Sequence, residues 1–190
     1  YWEMYTTQEL TSDFYYRVVA DGCMDILLNV LQPHQSFAIG FASSYTEFPL
    51  DRRFHYRGIR FLPAAFPQIF RISAHELTNR FESLDLLHPQ LALFLAEEGQ
   101  PQGEWTTWTD KVSFWLLEQL QQAHWSEDKR VFRAIETILQ QQGRINLSEI
   151  DTGVSPRQLR RLFQHYVGDS PKTFSKVVRF QNLLQAKPSA

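Results

Sequence analysis

Arg157, Arg160 and Arg161 stand in the stretch Gly153-Val154-Ser155-Pro156-Arg157-Gln158-Leu159-Arg160-Arg161-Leu162-Phe163-Gln164-His165-Tyr166-Val167-Gly168. A guanidinium is planar, always charged and presents a fork of donors. Three of them close together suit hydrogen bonding to the edge of guanine or to phosphate. The residues around them predict how they are held. The Ser155 hydroxyl can accept a bond from a free amide of a first helical turn. Pro156 suits the first helical position, where its missing N–H costs nothing. Gly168 suits the left-handed stop. Leu159, Leu162, Phe163, Tyr166 and Val167 recur at helical spacing and make one apolar face, and Arg157, Arg160, Arg161, Gln164 and His165 fall off it. A short helix with a basic outer face is also what a merely solvated surface looks like, so the flanking sequence has to decide.

Other chemistries find less support. The six histidines (His34, His55, His75, His88, His124, His165) include no His-x-His or His-x-x-x-His pair, and clustered metal ligands are not evident. There is no glycine-rich phosphate loop and no Gly-x-Ser-x-Gly elbow. Asp21 and Asp25 read better as turn and strand-edge residues than as an acid pair. Ser155 and His165 lie ten positions apart on one helix, about 15 Å along its axis, and are no nucleophile–base pair. No metal, cofactor or enzymatic activity is expected.

The chain of 190 residues fits one large or two small domains. Its net charge of −2 hides an asymmetry. Residues 129–190 carry eleven Lys/Arg and four Asp/Glu, and residues 1–128 carry eight and seventeen. A basic last third on an acidic body predicts two modules, the smaller facing a polyanion. Cys23 is the only cysteine, so no intrachain disulfide forms and a reducing compartment, the cytoplasm, is expected. No apolar run is long enough to span a bilayer and no signal peptide is evident. The chain starts at Tyr1, which suggests a fragment or trimmed form.

Residues 1–62 read as strands. Phe14–Val19 is aromatic and β-branched, Asp21-Gly22 suits a tight hairpin turn, and Cys23–Leu31 is nearly continuously apolar, as in a strand covered on both faces. Ser36–Phe41 and Phe54–Leu62, interrupted by Gly58, follow. Close-spaced strands predict an antiparallel barrel or sandwich. Trp2, Tyr15, Phe37, Phe41, Tyr56 and Phe61 could line a ligand cavity inside it, or be ordinary core. Residues 63–127 turn helical. Ala64–Phe70 is a short helical turn or loop, Ser73-Ala74-His75-Glu76 has capping-box spacing, Pro89 opens a helix, and Thr109 caps another carrying the stripe Val112, Trp115, Leu116 and Leu120. Gly99–Gly103 reads as a linker and Ser126-Glu127-Asp128 as the domain boundary. Beyond it, Asp128–Gln142 forms a helix stopping at Gly143, Leu147–Ile150 a stub, and Thr173–Gln185 a last helix that Pro188 cannot continue.

Ile145, Leu147, the Gly153–Phe163 run, Gly168-Asp169-Ser170-Pro171-Lys172-Thr173-Phe174 and Arg179-Phe180 resemble the first helix-turn-helix of AraC-type transcription regulators. Asp21-Gly22-Cys23-Met24-Asp25-Ile26-Leu27 and Gly58-Ile59-Arg60-Phe61-Leu62-Pro63 look like the sensor domain of one branch of that family. The resemblance implies a cupin-like sensor, helices that often dimerise, and a recognition helix whose Arg157, Arg160 and Arg161, with Gln158, meet bases. It implies that Ser155, Lys172 and Thr173 lie near phosphates, as helix N-termini favour. The sequence departs from the family twice. Asp151-Thr152 alone fill a gap about two residues longer in the family pattern, and the second helix-turn-helix is absent from this chain.

The expectation is therefore an α+β chain. Residues 1–127 form a sensor and dimerisation domain with an antiparallel β-barrel or sandwich, and residues 128–190 an all-helical partial helix-turn-helix domain. The expected function is ligand-responsive DNA-binding transcription regulation by a cytoplasmic homodimer, with double-stranded DNA and an unidentified small-molecule effector as partners and no membrane association. The alternative is a non-catalytic ligand-binding or dimerisation protein that has lost DNA binding and modulates full-length relatives. The stripe on the Pro89–Gln122 helices is the expected dimer face.

Overall fold

A computed structural model describes residues 1–99, 103–123, 129–146, 150 and 152–186. The expected boundary at Ser126–Asp128, the stub residues Leu147–Glu149, Asp151 of the shortened segment, Gln100–Gln102 of the linker and Pro188 lie outside the described residues. The chain is α+β, with antiparallel sheets followed by helices. The strands are β1 (Trp2–Tyr5), β2 (Phe14–Val18), β3 (Met24–Asn29), β4 (Ser36–Ile39), β5 (Thr46–Leu50), β6 (His55–Phe61) and β7 (Phe81–Ser83). The helices are α1 (Ala65–Phe70), α2 (Ala74–Leu77), α3 (Leu84–Leu87), α4 (Pro89–Glu98), α5 (Trp105–Gln122), α6 (Lys129–Gln140), α7 (Pro156–Tyr166) and α8 (Pro171–Ala186).

The strands do not close into a barrel. Five of them form an open sheet in the order β1-β6-β3-β4-β7, and β2 pairs only with β5 in a separate ribbon. This corrects the role of Asp21-Gly22. It is not a hairpin turn, because the strands on either side of it belong to different sheets, and Gly22 does not take a positive φ. Instead the Cys23 amide donates to Asp21 Oδ1 at 3.0 Å and Asp21 bridges to Ala42. Gly58 does not interrupt β6. It pairs with Trp2 and Leu27, and a side chain there would run into the Trp2 indole.

β3 sits at the centre because both its faces have something to meet. Met24, Ile26, Leu28 and Val30 join a core with Ile59, Phe61, Phe66, Leu91, Leu95, Trp108 and Val112, so one sheet face is covered by α1, α4 and α5. Arg57, almost fully buried on that face, donates through Nε to Glu3 Oε1 (2.9 Å) and through Nη2 to the Gly103 carbonyl (2.7 Å), and sits 5.5 Å from the Trp108 ring. It ties the start of α5 to the sheet. The other face carries Trp2, which stacks on Tyr16 of the β2–β5 ribbon.

One expected helix start is displaced, and one expected cap bond is not made. α5 begins at Trp105 rather than behind Thr109, whose hydroxyl bonds back to the Thr106 carbonyl inside the helix. Ser73 precedes α2 but makes no side-chain cap bond. On α5, Val112 is buried, and Trp115 and Leu116 pack against the subunit's own core, Trp115 stacking on Phe70 and Phe94. Three residues of the expected dimer stripe therefore face inward, and the fourth, Leu120, is half-buried. Phe114 and Leu117, 64% and 55% exposed, face outward instead. No helix among the described residues is long and apolar enough to cross a membrane.

The helices α6–α8 share a second core of Val131, Ala134, Ile135, Ile138, Leu159, Phe163, Phe174, Val177 and Val178. Ile150 joins it. So do Phe41 and Ala64 from the first half of the chain. The helices of residues 129–186 thus close their core against the sheet-bearing part. The seam is tight: the Gly168 carbonyl accepts from Thr78 Oγ1 (2.7 Å) and from His75 Nδ1 (3.1 Å), and a side chain on Gly22 would meet the Phe174 ring at 2.8 Å.

The Trp2–Gly58 approach yields a test. Gly58→Ala should cost about 1–3 kcal/mol by overpacking, and much less in a Trp2→Ala background. A double-mutant cycle by urea unfolding measures the difference. Equal costs in both backgrounds would show that the indole does not lie over Gly58.

Candidate nucleic-acid interface

α7 is positioned from both ends. At its start, Ser155 Oγ accepts from the Gln158 amide (3.3 Å) while the Ser155 amide donates to Gln158 Oε1 (3.1 Å), a reciprocal capping box with Pro156 at the first helical position. At its end, the Gly168 amide donates to the Phe163 carbonyl at 3.0 Å, with Gly168 at φ 113°. Leu159, Phe163 and Val167 are buried, and Leu162 and Tyr166 are half-buried. The helix can bury that stripe in only one rotation, so Arg157, Arg160 and Arg161 stand exposed on the side away from the core. None of the three has an ion-pair partner among the described residues. Gln158 is exposed too, but its carbonyl end is engaged in the cap.

α8 starts with a second capped turn. Ser170 Oγ accepts from the Thr173 amide at 3.2 Å and lies 3.0 Å from Thr173 Oγ1. Lys172 is exposed beside it, and Thr173 is half-buried. The structure therefore places Ser155 and Thr173 at two helix N-termini, where amide dipoles favour anions. Chemically, the set offers guanidinium forks for paired acceptors and an ammonium for phosphate.

The six aromatic residues expected around one cavity are not gathered by the structure. Trp2, Phe37 and Tyr56 share the ribbon-side face of the sheet by register. Phe61 is on the opposite face, edge-on to Phe66 and Phe70. Phe41 is buried in the second core and Tyr15 is exposed. Period-two alternation and a change of core separate residues that composition alone groups together. A cleft of about 240 Å³ does lie where the ribbon meets β4 and β7, lined by Val18, Ile39, Ala42, Thr46 and Phe81. Sequence reasoning missed it, because β5 and β7 carried no strand signal strong enough to place its walls.

Beside Trp2, Asp25 is buried on β3 opposite Arg60 of β6. Arg60 donates to both its carboxylate oxygens (2.9 and 2.8 Å), Trp2 Nε1 adds a bond at 3.3 Å, and Asp21 lies 3.2 Å from the same guanidinium. Burial raises the Asp21 carboxyl above its ordinary range despite Arg60. Burial, with Asp21 adding to it, pushes the Cys23 thiol up to about 11. That thiol stays protonated near neutral pH and offers no ready nucleophile. Arg60→Ala leaves Asp25 as a buried, under-compensated charge. It should cost about 2–3 kcal/mol, at or below the low end for a broken buried pair because the Arg60 side chain is 45% exposed. Adding Asp25→Asn should recover most of the loss in chemical unfolding, and no recovery would show that the pair is not what holds this corner.

Residues 1–83 match a family described as a domain of unknown function (DUF6597). The match ends on the last residue of β7, so it takes in all seven strands, α1 and α2, and stops before α3. No curated protein and no solved structure matches the chain.

Proposed function

We propose that this chain is a ligand-responsive DNA-binding transcription regulator of the AraC type, acting in the cytoplasm without enzymatic activity. In this reading the sheets and α1–α5 form the sensor, and α6–α8 form part of a helix-turn-helix unit with α7 as its recognition helix. One observation carries it. The apolar face of α7 is buried and its N-terminal cap is complete, while Arg157, Arg160 and Arg161 are exposed and unpaired near that capped end. The N-terminal part of a recognition helix is what meets base edges in the major groove. The basic balance of residues 129–190 supports the same partner. The effector would sit in the cleft between ribbon and sheet, whose size suits a small molecule rather than a drug-sized one.

The arginines and Lys172 take different roles. An arginine on a base edge reads sequence, and a lysine on phosphate only positions the protein. Replacing a base-reading arginine by alanine should cost about 1–3 kcal/mol and relax sequence preference, and Lys172→Ala should weaken binding to all duplexes alike. Binding to a selected and a mixed duplex at two salt concentrations separates these. If the three arginine variants keep the parent's ratio of specific to non-specific affinity, base reading by α7 is wrong.

A homodimer belongs to the same proposal, formed through the outward flank of α5 at Phe114 and Leu117. Phe114→Glu should shift sedimentation from dimer to monomer. A parent that stays monomeric at high concentration removes this interface.

A further inference from the structure

We propose that α8 and the turn after α6 carry a second cationic surface, made by Arg144, Lys176 and Arg179 and continuous with Lys172, that lies along the phosphate backbone of duplex DNA. It rests on the DNA-binding reading and extends it to residues outside the recognition helix. Lys172, Lys176 and Arg179 are spaced i, i+4 and i+7, so they fall on one face of α8, and all three are exposed. Phe174, Val177 and Val178 are buried in the core away from that stripe.

Arg144 arrives from elsewhere in the chain. Gly143 takes φ +70°, and its Cα lies so close to α8 that a side chain would run into the Ser175 carbonyl and come within 2.8 Å of the Arg179 amide. The turn is therefore pressed against the middle of α8, and Arg144 lines a cleft of about 540 Å³ with Lys176, Arg179 and Gln142.

Exposed cations on a helix are ordinarily interleaved with carboxylates that pair with them. α8 contains no Asp or Glu at all, and none of the four cations has an ion-pair partner among the described residues. Like charges left unpaired at i, i+4 repel and oppose the helix unless a polyanion faces them. The run from Lys172 to Arg179 spans about 10 Å, and one DNA strand presents about three phosphates over that length of duplex. That match favours a phosphate backbone over a single small anion.

The test uses the full chain and fluorescence anisotropy with a labelled duplex of mixed sequence over a salt series. Arg144→Gln/Lys176→Gln/Arg179→Gln should weaken binding and reduce the slope of log affinity against log salt by about 2–3. The loss should be the same for selected and mixed duplexes. The charge-conserving Arg144→Lys/Lys176→Arg/Arg179→Lys chain should restore the slope, which separates charge from misfolding. If the glutamine chain keeps the parent's slope while the α7 arginine variants lose binding, this surface is wrong and the recognition-helix reading stands. A parent that shows no salt-dependent binding to duplex overturns both.

Discussion

Burial of one apolar stripe, Leu159, Phe163 and Val167 on α7, is the constraint on which the rest of the helical part depends. A helix of eleven residues is marginal alone, and its stability comes chiefly from the face it buries. Once that face is committed to the core, the rotation of α7 is set and its arginines have only solvent to point into. The caps at Ser155 and Gly168 fix where the helix starts and stops, and so which arginines fall near the N-terminal end.

That core is not completed by the helices alone. Phe41 and Ala64 reach into it from the sheet-bearing part, and the Gly168 carbonyl is held by Thr78 and His75. The turn between α7 and α8 is thus built against α2, and the two halves of the chain share one packed seam. A shift in the sheet part has a direct physical route to the α7–α8 turn through Phe41, because packed interiors transmit displacement rather than absorb it.

The sheet part shows how a polar group is kept in a buried strand. Asp25 interrupts the apolar run Met24–Leu28 of β3, and it is tolerated because Arg60 lies directly opposite on β6 and grips both carboxylate oxygens. Buried charges persist only when paired and hydrogen-bonded. Arg57 solves the same problem on the other face with Glu3, the Gly103 carbonyl and the Trp108 ring. Each pair also pins a register: Glu3 opposite Arg57 aligns β1, and Asp25 opposite Arg60 aligns β3.

Much of the helical third was legible because its signals are local. Caps, proline starts, glycine stops and an apolar repeat act within a few residues, and Ser155, Pro156 and Gly168 place α7 whatever surrounds it. The same locality made β2, β3, β4 and β6 readable as strands from their residue types. Thr109 misled because a good cap residue caps only where the chain enters the helix, and α5 is already under way there, whereas Ser73 does stand at the start of α2 but its side chain makes no cap bond. Strand partners were not legible. β2 pairs with β5, distant in sequence, rather than with its neighbour β3, because pairing is settled by which faces can be covered and not by the turn residues between. For the same reason the six aromatics scattered to different faces and cores, and Trp115 of the α5 stripe turned inward onto Phe70 and Phe94. The sequence by itself determined where α4, α6, α7, α8 and most strands lie and that Arg157, Arg160 and Arg161 share the polar side of α7. Only the tertiary structure decided that Phe41 closes the helical core and that Gly143 brings Arg144 against α8, because those contacts join residues far apart in the chain and exist only once both surfaces are packed.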